Sequence, residues 1–524
     1  MKTCTACVEC RAGKRKCTPS APDARCHQCV KRQLDCSFCI SPGLLRQPSL
    51  LPATQQKTLY KLQPSQEIKE ELVALYLRHL HNQPHTLFHE PSLLTEVRNG
   101  TISHNVLFGI LGLSARFSPN PETRSRGRAY AAEAKRSLKE SIDDICLENI
   151  QAFILVGTIC SGDNDVGTES IYYGIANTMA QLLHISSEDE SSDAITQETK
   201  RRVWWSLYMI DTWSTAGIDL PRRLLFRGSG PQLPMDEGMF NQLEPGDPPP
   251  TPWKPGLWTH YVVLVQIFGR VLDLNRRLVF PSDEDKTPIE EESQRLALEL
   301  EDFERNLPAD VRYSEANLAA RIADSTGRMF VALHLGYHHY STLLYYHYLE
   351  NHKLSFAEPS RLYISRCKYH AAAFSDIVRV SLTNNKAEAV YNIVGHMTVV
   401  SSSVLVHTVL FGGNSEVREA RERLEVNFQL LVKLGEFWPS VTPLMNRLIK
   451  FQNFCIESTS PQPHKMDRWM IKFLLQHALD LNNRDDVQSE EVPFRRPPDC
   501  VGSSSNWELI ERSRMTEEII AGRR

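Results

Sequence analysis

Six cysteines fall in the order Cys7-x2-Cys10-x6-Cys17-x8-Cys26-x2-Cys29-x6-Cys36, and the interval between Cys10 and Cys17 holds Arg11, Lys14, Arg15 and Lys16. Thiolates are soft ligands that suit zinc, and a four-thiolate shell closes a structural site with no open position for catalysis. Six thiolates serve two zinc ions if two of them bridge. A segment this short cannot bury enough apolar surface to fold unaided, so metal must supply the missing stability. Structural zinc contributes roughly 10–16 kcal/mol in small finger peptides. Cationic side chains on such a tip suit phosphate and the guanine edge.

Charge and cysteine are both unevenly spread. Residues 1–39 carry a net +5 within a chain of net −4, which leaves −9 on the remainder. Two zinc ions on six thiolates carry −2, so the head keeps +3. Asymmetry of this kind suggests an end that faces nucleic acid. Of thirteen cysteines, eight lie in residues 1–39, while Cys146, Cys160, Cys367, Cys455 and Cys500 are scattered. The first residues are polar and lack the apolar core of a signal peptide. Metal-bound thiolates in a reducing compartment are therefore expected rather than disulfides, with Cys4 and Cys39 as spare thiols. No run of about 18 apolar residues stands out, so no membrane span is expected.

The remaining chain must position this head and control it. Residues 1–40 form the metal-bearing domain and 41–66 a linker broken by Pro42, Pro48, Pro52 and Pro64. Leu44–Leu45 and Leu50–Leu51 come as doublets without the heptads of a coiled coil. Residues 67–482 are expected to be all-α, and 483–524 a polar, mobile tail. Ser65 is placed to cap a helix with Ile68, Leu72, Leu75 and Tyr76 on its apolar face, ending before Pro84. Ile171, Gly174, Ile175, Thr178, Met179, Leu182 and Leu183 follow the i, i+3, i+4 spacing of a helix. Val203–Trp213 is a further helix, and others are expected near 257–276, 289–305, 327–350, 359–382, 385–411, 415–434 and 466–482. A proline-rich loop at 245–255 divides the body.

With its basic residues, the six-cysteine run resembles the fungal zinc binuclear cluster of transcription regulators. That resemblance implies a small cluster of two short helices holding two zinc ions. Cys7 and Cys26 would bridge the metals, Cys10 and Cys17 would complete one, and Cys29 and Cys36 the other. It also implies that Lys14 reaches guanines of a CGG triplet, with Arg11, Arg15, Lys16, Lys31 and Arg32 near phosphates. The family often places proline two residues before the fourth cysteine, where this chain has Ala24. Glu198-Thr199-Lys200-Arg201-Arg202-Val203-Trp204-Trp205-Ser206-Leu207-Tyr208, with Asp211 and Leu220-Pro221, is similar to the fungal-specific transcription factor domain. Leu307-Pro308 and Trp438-Pro439 fit the same domain, which would cover roughly residues 67–460. The resemblance implies a nuclear, sequence-specific regulator of RNA polymerase II transcription with double-stranded DNA and coregulators as partners. A small-molecule effector and a homodimer are left open, as is control of a metabolic or secondary-metabolite gene cluster.

The alternatives are a zinc module that grips protein or RNA, and an enzyme within the helical body. The second lacks a phosphate-cradling glycine loop or a nucleophile elbow. His334 and His338 stand at i, i+4, but without the glutamate of a metalloprotease motif they suit a core helix better. Trp204 and Trp205 are expected to pack in the core rather than touch a ligand.

Overall fold

The computed structural model describes residues 16–18, 26–32, 63–83, 85–187, 192–218, 220–224, 230–248, 252–280, 288–353, 358–457, 473–475 and 504–522. The chain divides into two units, Met1–Pro64 and Ser65–Arg524. Helices dominate, and no strand occurs among the described residues, which contain one isolated bridge between His81 and His85. In the first unit the described element is α1 (His27–Lys31), which starts directly after Cys26.

The second unit begins with α2 (Gln66–His79), where the Ser65 hydroxyl accepts a hydrogen bond from the Ile68 amide at 3.4 Å. It continues through α3 (Glu90–Asn99), α4 (His104–Ser114), α5 (Pro121–Glu140), α6 (Leu147–Gly162), α7 (Val166–Leu182) and α8 (Ala194–Gly217). Helices close in sequence pack together: α4 lies against α5 and α6, and α6 against α7. Gly112 permits the first of these approaches, since a Cβ there would stand 2.8 Å from the Ala131 backbone nitrogen.

The helix read from this spacing is present, and its apolar stripe is divided between solvent and interior. Ile171 and Leu182 are 62% and 58% exposed, whereas Tyr172, Tyr173, Ala176, Asn177, Met179 and Ala180 are buried. The Tyr173 ring occupies the space that Gly157 of α6 leaves open, and a Cβ on Gly157 would collide with it. Fitting a large ring into that notch turns Ile171 and Leu182 outward, because close packing rewards a matching shape as well as apolar character.

The rest of the body consists of α9 (Glu237–Asn241), α10 (Leu257–Val279), α11 (Ile289–Asn306), α12 (Glu315–Ala323), α13 (Gly327–Tyr345), α14 (Glu358–Thr383), α15 (Ile393–Phe411), α16 (Asn414–Gly435), α17 (Val441–Glu457) and α18 (Ser504–Ile520). Nearly all of α13 is buried, as is nearly all of α15. Helix α15 is long and apolar enough by composition to cross a membrane, yet 94% of that window is buried inside the body. A helix apolar all round belongs in a core or a bilayer, and here it packs against α13, α14, α16, α17 and α18.

Three boundaries depart from the sequence. The helix expected from 385 starts at Ile393, because residues 387–391 form a buried loop whose polar groups find side-chain partners. The Ala389 amide donates to the Ser381 hydroxyl at 2.8 Å, and the Trp438 indole donates to the Val390 carbonyl at 2.6 Å. Helix α13 tightens into a 3-10 turn at Tyr346–Lys353. At the carboxyl end, α18 replaces part of the expected mobile tail. Ser513, Thr516, Ile519 and Ile520 are buried, and Gln452 donates to the Ser513 carbonyl at 3.2 Å. The helix expected at 466–482 lies outside the described residues except for 473–475, where Phe473, Leu474 and Leu475 are buried.

Candidate metal head and effector cavity

In the first unit, Cys26 and Cys29 are buried, and Cys17 is half-buried. One helical turn places the first two on a common face. The Cys26 carbonyl accepts from the Val30 amide at 3.0 Å, and the His27 amide donates to the Thr18 carbonyl at 3.2 Å, tying the Cys17 segment to the start of α1. Two buried thiols, one at the N-cap and one within a five-residue helix, are a donor set that fits zinc. Among the described residues no three His, Cys, Asp or Glu side chains gather at one point. Cys7, Cys10, Cys36, Arg11, Lys14 and Arg15 lie outside the described residues. Lys16, Lys31 and Arg32 are exposed, and Lys31 closes the carboxyl end of α1, where a cation is favoured.

In the body, the Glu198–Tyr208 motif builds a buried ion-pair knot on α8. Glu198 is 0% exposed, and its carboxylate accepts from Arg202 Nε at 2.8 Å, Arg201 Nη1 at 2.5 Å and the Met235 amide at 2.9 Å. Arg202 in turn donates to the Met235 carbonyl at 2.6 Å, and its guanidinium lies 4.5 Å from the Phe240 ring centre. One turn on, the Ser206 hydroxyl exchanges hydrogen bonds with the Thr86 backbone at 3.1 and 3.2 Å. Asp211 accepts from the Arg223 and Leu224 amides at 2.7 and 2.9 Å. Burial pushes its carboxyl up, against those bonds. Trp205 is buried and its indole donates to the Gln232 carbonyl at 3.2 Å, while the Trp204 ring meets it edge-on at 4.7 Å. The motif therefore fastens the loop around 230–243 and the segment around Thr86 onto α8.

The histidines expected in the core are there. His334 shares a hydrogen bond of 2.9 Å with the Val311 carbonyl, and the Nδ1 atoms of His338 and His370 lie 3.0 Å apart. Burial pulls both His338 and His370 down, so the pair is neutral, one ring donating and the other accepting. Near Leu307-Pro308, Phe303 stacks on Tyr337 at 6.2 Å. Trp438 is fully buried with Arg116 4.4 Å from its ring.

The residues missed from the sequence line a cavity of about 130 Å³ in the body, walled by Tyr76, Leu113, Ile154, Tyr173, Trp213 and Leu444 among others. Gln83, His85 and Glu169 also line it. Burial pushes the Glu169 carboxyl up to about 7, with Asp165 adding and the Ser161 hydroxyl opposing. Burial pulls His85 down to about 3. Glu169 carried a signal in sequence, as an acid beside the aromatic pair Tyr172–Tyr173. An open apolar groove of about 830 Å³ runs outside, along Ile142, Ile145, Ile171, Ile175 and Leu182, and shares Val166, Ser170 and Ile218 with the cavity.

Residues 73–240 match the fungal specific transcription factor domain, the stretch that contains the second half of α2, all of α3 to α8 and the Glu198 knot. The chain is 23% identical over 487 residues to an uncharacterized transcriptional regulatory protein of Schizosaccharomyces pombe, covering 76% of this chain and 49% of the relative. A Zn(2)-C6 fungal-type transcription factor of Fusarium oxysporum is 22% identical over 429 residues, covering 72% and 44%. A transcriptional activator protein of Neurospora crassa, acu-15, is 27% identical over 245 residues, covering 46% and 26%. The chain thus spans about half or less of the length of the curated relatives it matches. Part of the helical body, residues 73–240, is thus similar to a domain of fungal transcription factors.

Proposed function

We propose that this chain is a sequence-specific DNA-binding regulator of RNA polymerase II transcription, acting in the nucleus. The observation that carries it is the interval from Cys10 to Cys17, in which four cations sit between zinc-type thiols. Two zinc ions held by Cys7, Cys10, Cys17, Cys26, Cys29 and Cys36 fold the head. Lys14 reads a CGG triplet, and Arg11, Arg15, Lys16, Lys31 and Arg32 meet phosphates. The buried Cys26–Cys29 pair and the exposed Lys31 and Arg32 support this division of labour. Lys14→Ala is expected to remove the preference for CGG while leaving zinc content unchanged, at about 1–3 kcal/mol of discrimination per good base contact. Footprinting of the variant against wild type reads this, and an unchanged preference would discard the role of Lys14. Phosphate-contact variants such as Lys31→Ala should instead weaken all sequences alike and lower the salt slope by about 0.9.

The body couples this head to coregulators and to a small-molecule effector in the cavity. Control of a metabolic or secondary-metabolite gene cluster rests on family resemblance, and genome-wide binding-site mapping tests it. Self-association through the body is favoured by the outward stripe on α7, since the linker has no heptads. A two-fold contact uses one patch twice, and the exposed Ile171 and Leu182 supply its apolar surface. Ile171→Glu is expected to turn a dimer into a monomer by light scattering without changing the helical signal. A monomeric wild-type chain at concentrations on the order of tens of micromolar would discard this arrangement.

A further inference from the structure

The cavity behind α7 carries buried polar atoms that lack partners, the Tyr391 hydroxyl among them. Gln83 is 5% exposed; its Nε2 donates to the Arg78 carbonyl at 3.2 Å, and its Oε1 has no partner. His85 Nδ1 is likewise unpartnered. Glu169 brings a carboxyl group to the same space. Several donors on the wall are already engaged. The Trp213 indole donates to the Tyr340 hydroxyl at 2.9 Å, Asn392 Nδ2 to the Ser161 hydroxyl at 3.0 Å, and the Ser440 hydroxyl to Asn392 Oδ1 at 2.8 Å. Among the described residues no lysine or arginine lines the cavity. The remaining wall is largely aliphatic, from Leu80, Leu87, Ile154, Ile210 and Leu444.

A buried acceptor without a donor is costly to keep, and native structures that retain one commonly reserve it for a water or a ligand. An anionic ligand would meet a carboxyl group and no cation, and a sugar would leave hydroxyls unpaired against aliphatic carbon. We propose that the cavity binds a small, mainly apolar molecule carrying one amino group, its ammonium held by Glu169 and its body by the aliphatic wall. The unpaired Oε1 of Gln83 is a further acceptor for such a ligand. The groove that shares Val166, Ser170 and Ile218 with the cavity is the way in. This deepens the effector role proposed above by naming the ligand class, and rests on that role only for its consequence in transcription.

The test is calorimetric titration of the full-length chain with three probes of one shape: 2-phenylethylamine, 2-phenylethanol and phenylacetate. The amine is expected to bind at least about tenfold more tightly than phenylacetate, the ratio that one charge-assisted hydrogen bond supports. Glu169→Gln is expected to bring the amine to within about threefold of the alcohol, since a neutral amide forfeits the charge but keeps the acceptor. Ile154→Trp, which fills the interior, should abolish binding of both. If that variant fails to fold by circular dichroism, Glu169→Gln alone decides. Phenylacetate binding as tightly as the amine, an amine affinity indifferent to Glu169→Gln, or no binding by any probe would each overturn the proposal. A gel shift reads the zinc head separately, so failure of the cavity and failure of DNA binding are distinguishable.

Discussion

Stripping metal from the full-length chain with a strong chelator is expected to abolish its binding to duplex DNA while leaving most of the helical signal in place. The two units are compact separately, and the head has little to hold it without zinc. Helix α1 has five residues, far below the roughly 12–15 at which an isolated helix becomes marginal in water. Its buried side chain is the thiol of Cys29, next to buried Cys26. Loss of roughly 10–16 kcal/mol of metal binding leaves such a segment unfolded. The body, with its core built on α13 and α15, keeps its thermal transition. Gel shift, zinc stoichiometry and circular dichroism on one sample read all three outcomes. Cys26→Ala should reproduce the loss of DNA binding with metal present. A chelated chain that still selects its DNA site would show that metal does not organise the head.

Glu198→Ala is expected to destabilise the body by about 3–5 kcal/mol, enough to unfold many domains. The carboxylate is fully buried and satisfies two arginines and the Met235 amide. Its removal strands the Arg202 guanidinium, itself 1% exposed, in the interior. Breaking a buried pair on one side is costly because the charge left behind is uncompensated, whereas replacing both partners with apolar side chains is often close to neutral. Glu198→Leu with Arg202→Met should therefore recover much of what Glu198→Ala loses. Denaturant unfolding of the single and double variants measures the coupling directly. Equal destabilisation by the single and double variants would mean that the knot acts through packing alone. Arg202 and Trp205 of the motif are buried within the body. Their partners are the 86 and 235 segments of the same chain, so its role is to hold the wall behind which the cavity lies.

How much was legible follows from the range of the interactions involved. The head is written in spacing: six thiols, the basic interval and the charge split need no long-range contact to be recognised. The helical class and the Ser65 cap are equally local, because periodicity and a side-chain oxygen three residues from an amide act within one turn. The buried His334 and His338, and Trp205, follow from the apolar helices that carry them.

Contacts distant in sequence decided the rest. Gly157 faces Tyr173, so α7 shows Ile171 and Leu182 to solvent, and nothing within α7 reveals that notch. Trp438 holds the 390 loop, so α15 starts at Ile393 rather than at 385. Gln452 and the end of α15 receive α18, turning a polar-looking tail into a docked helix. The cavity with Gln83, His85 and Glu169 exists only where α2, α6, α7 and α8 converge. Sequence determined which residues could bind metal and which stretches would coil. Tertiary structure decided which faces turned inward and what space they left, because close packing depends on the shape of a partner that lies far along the chain.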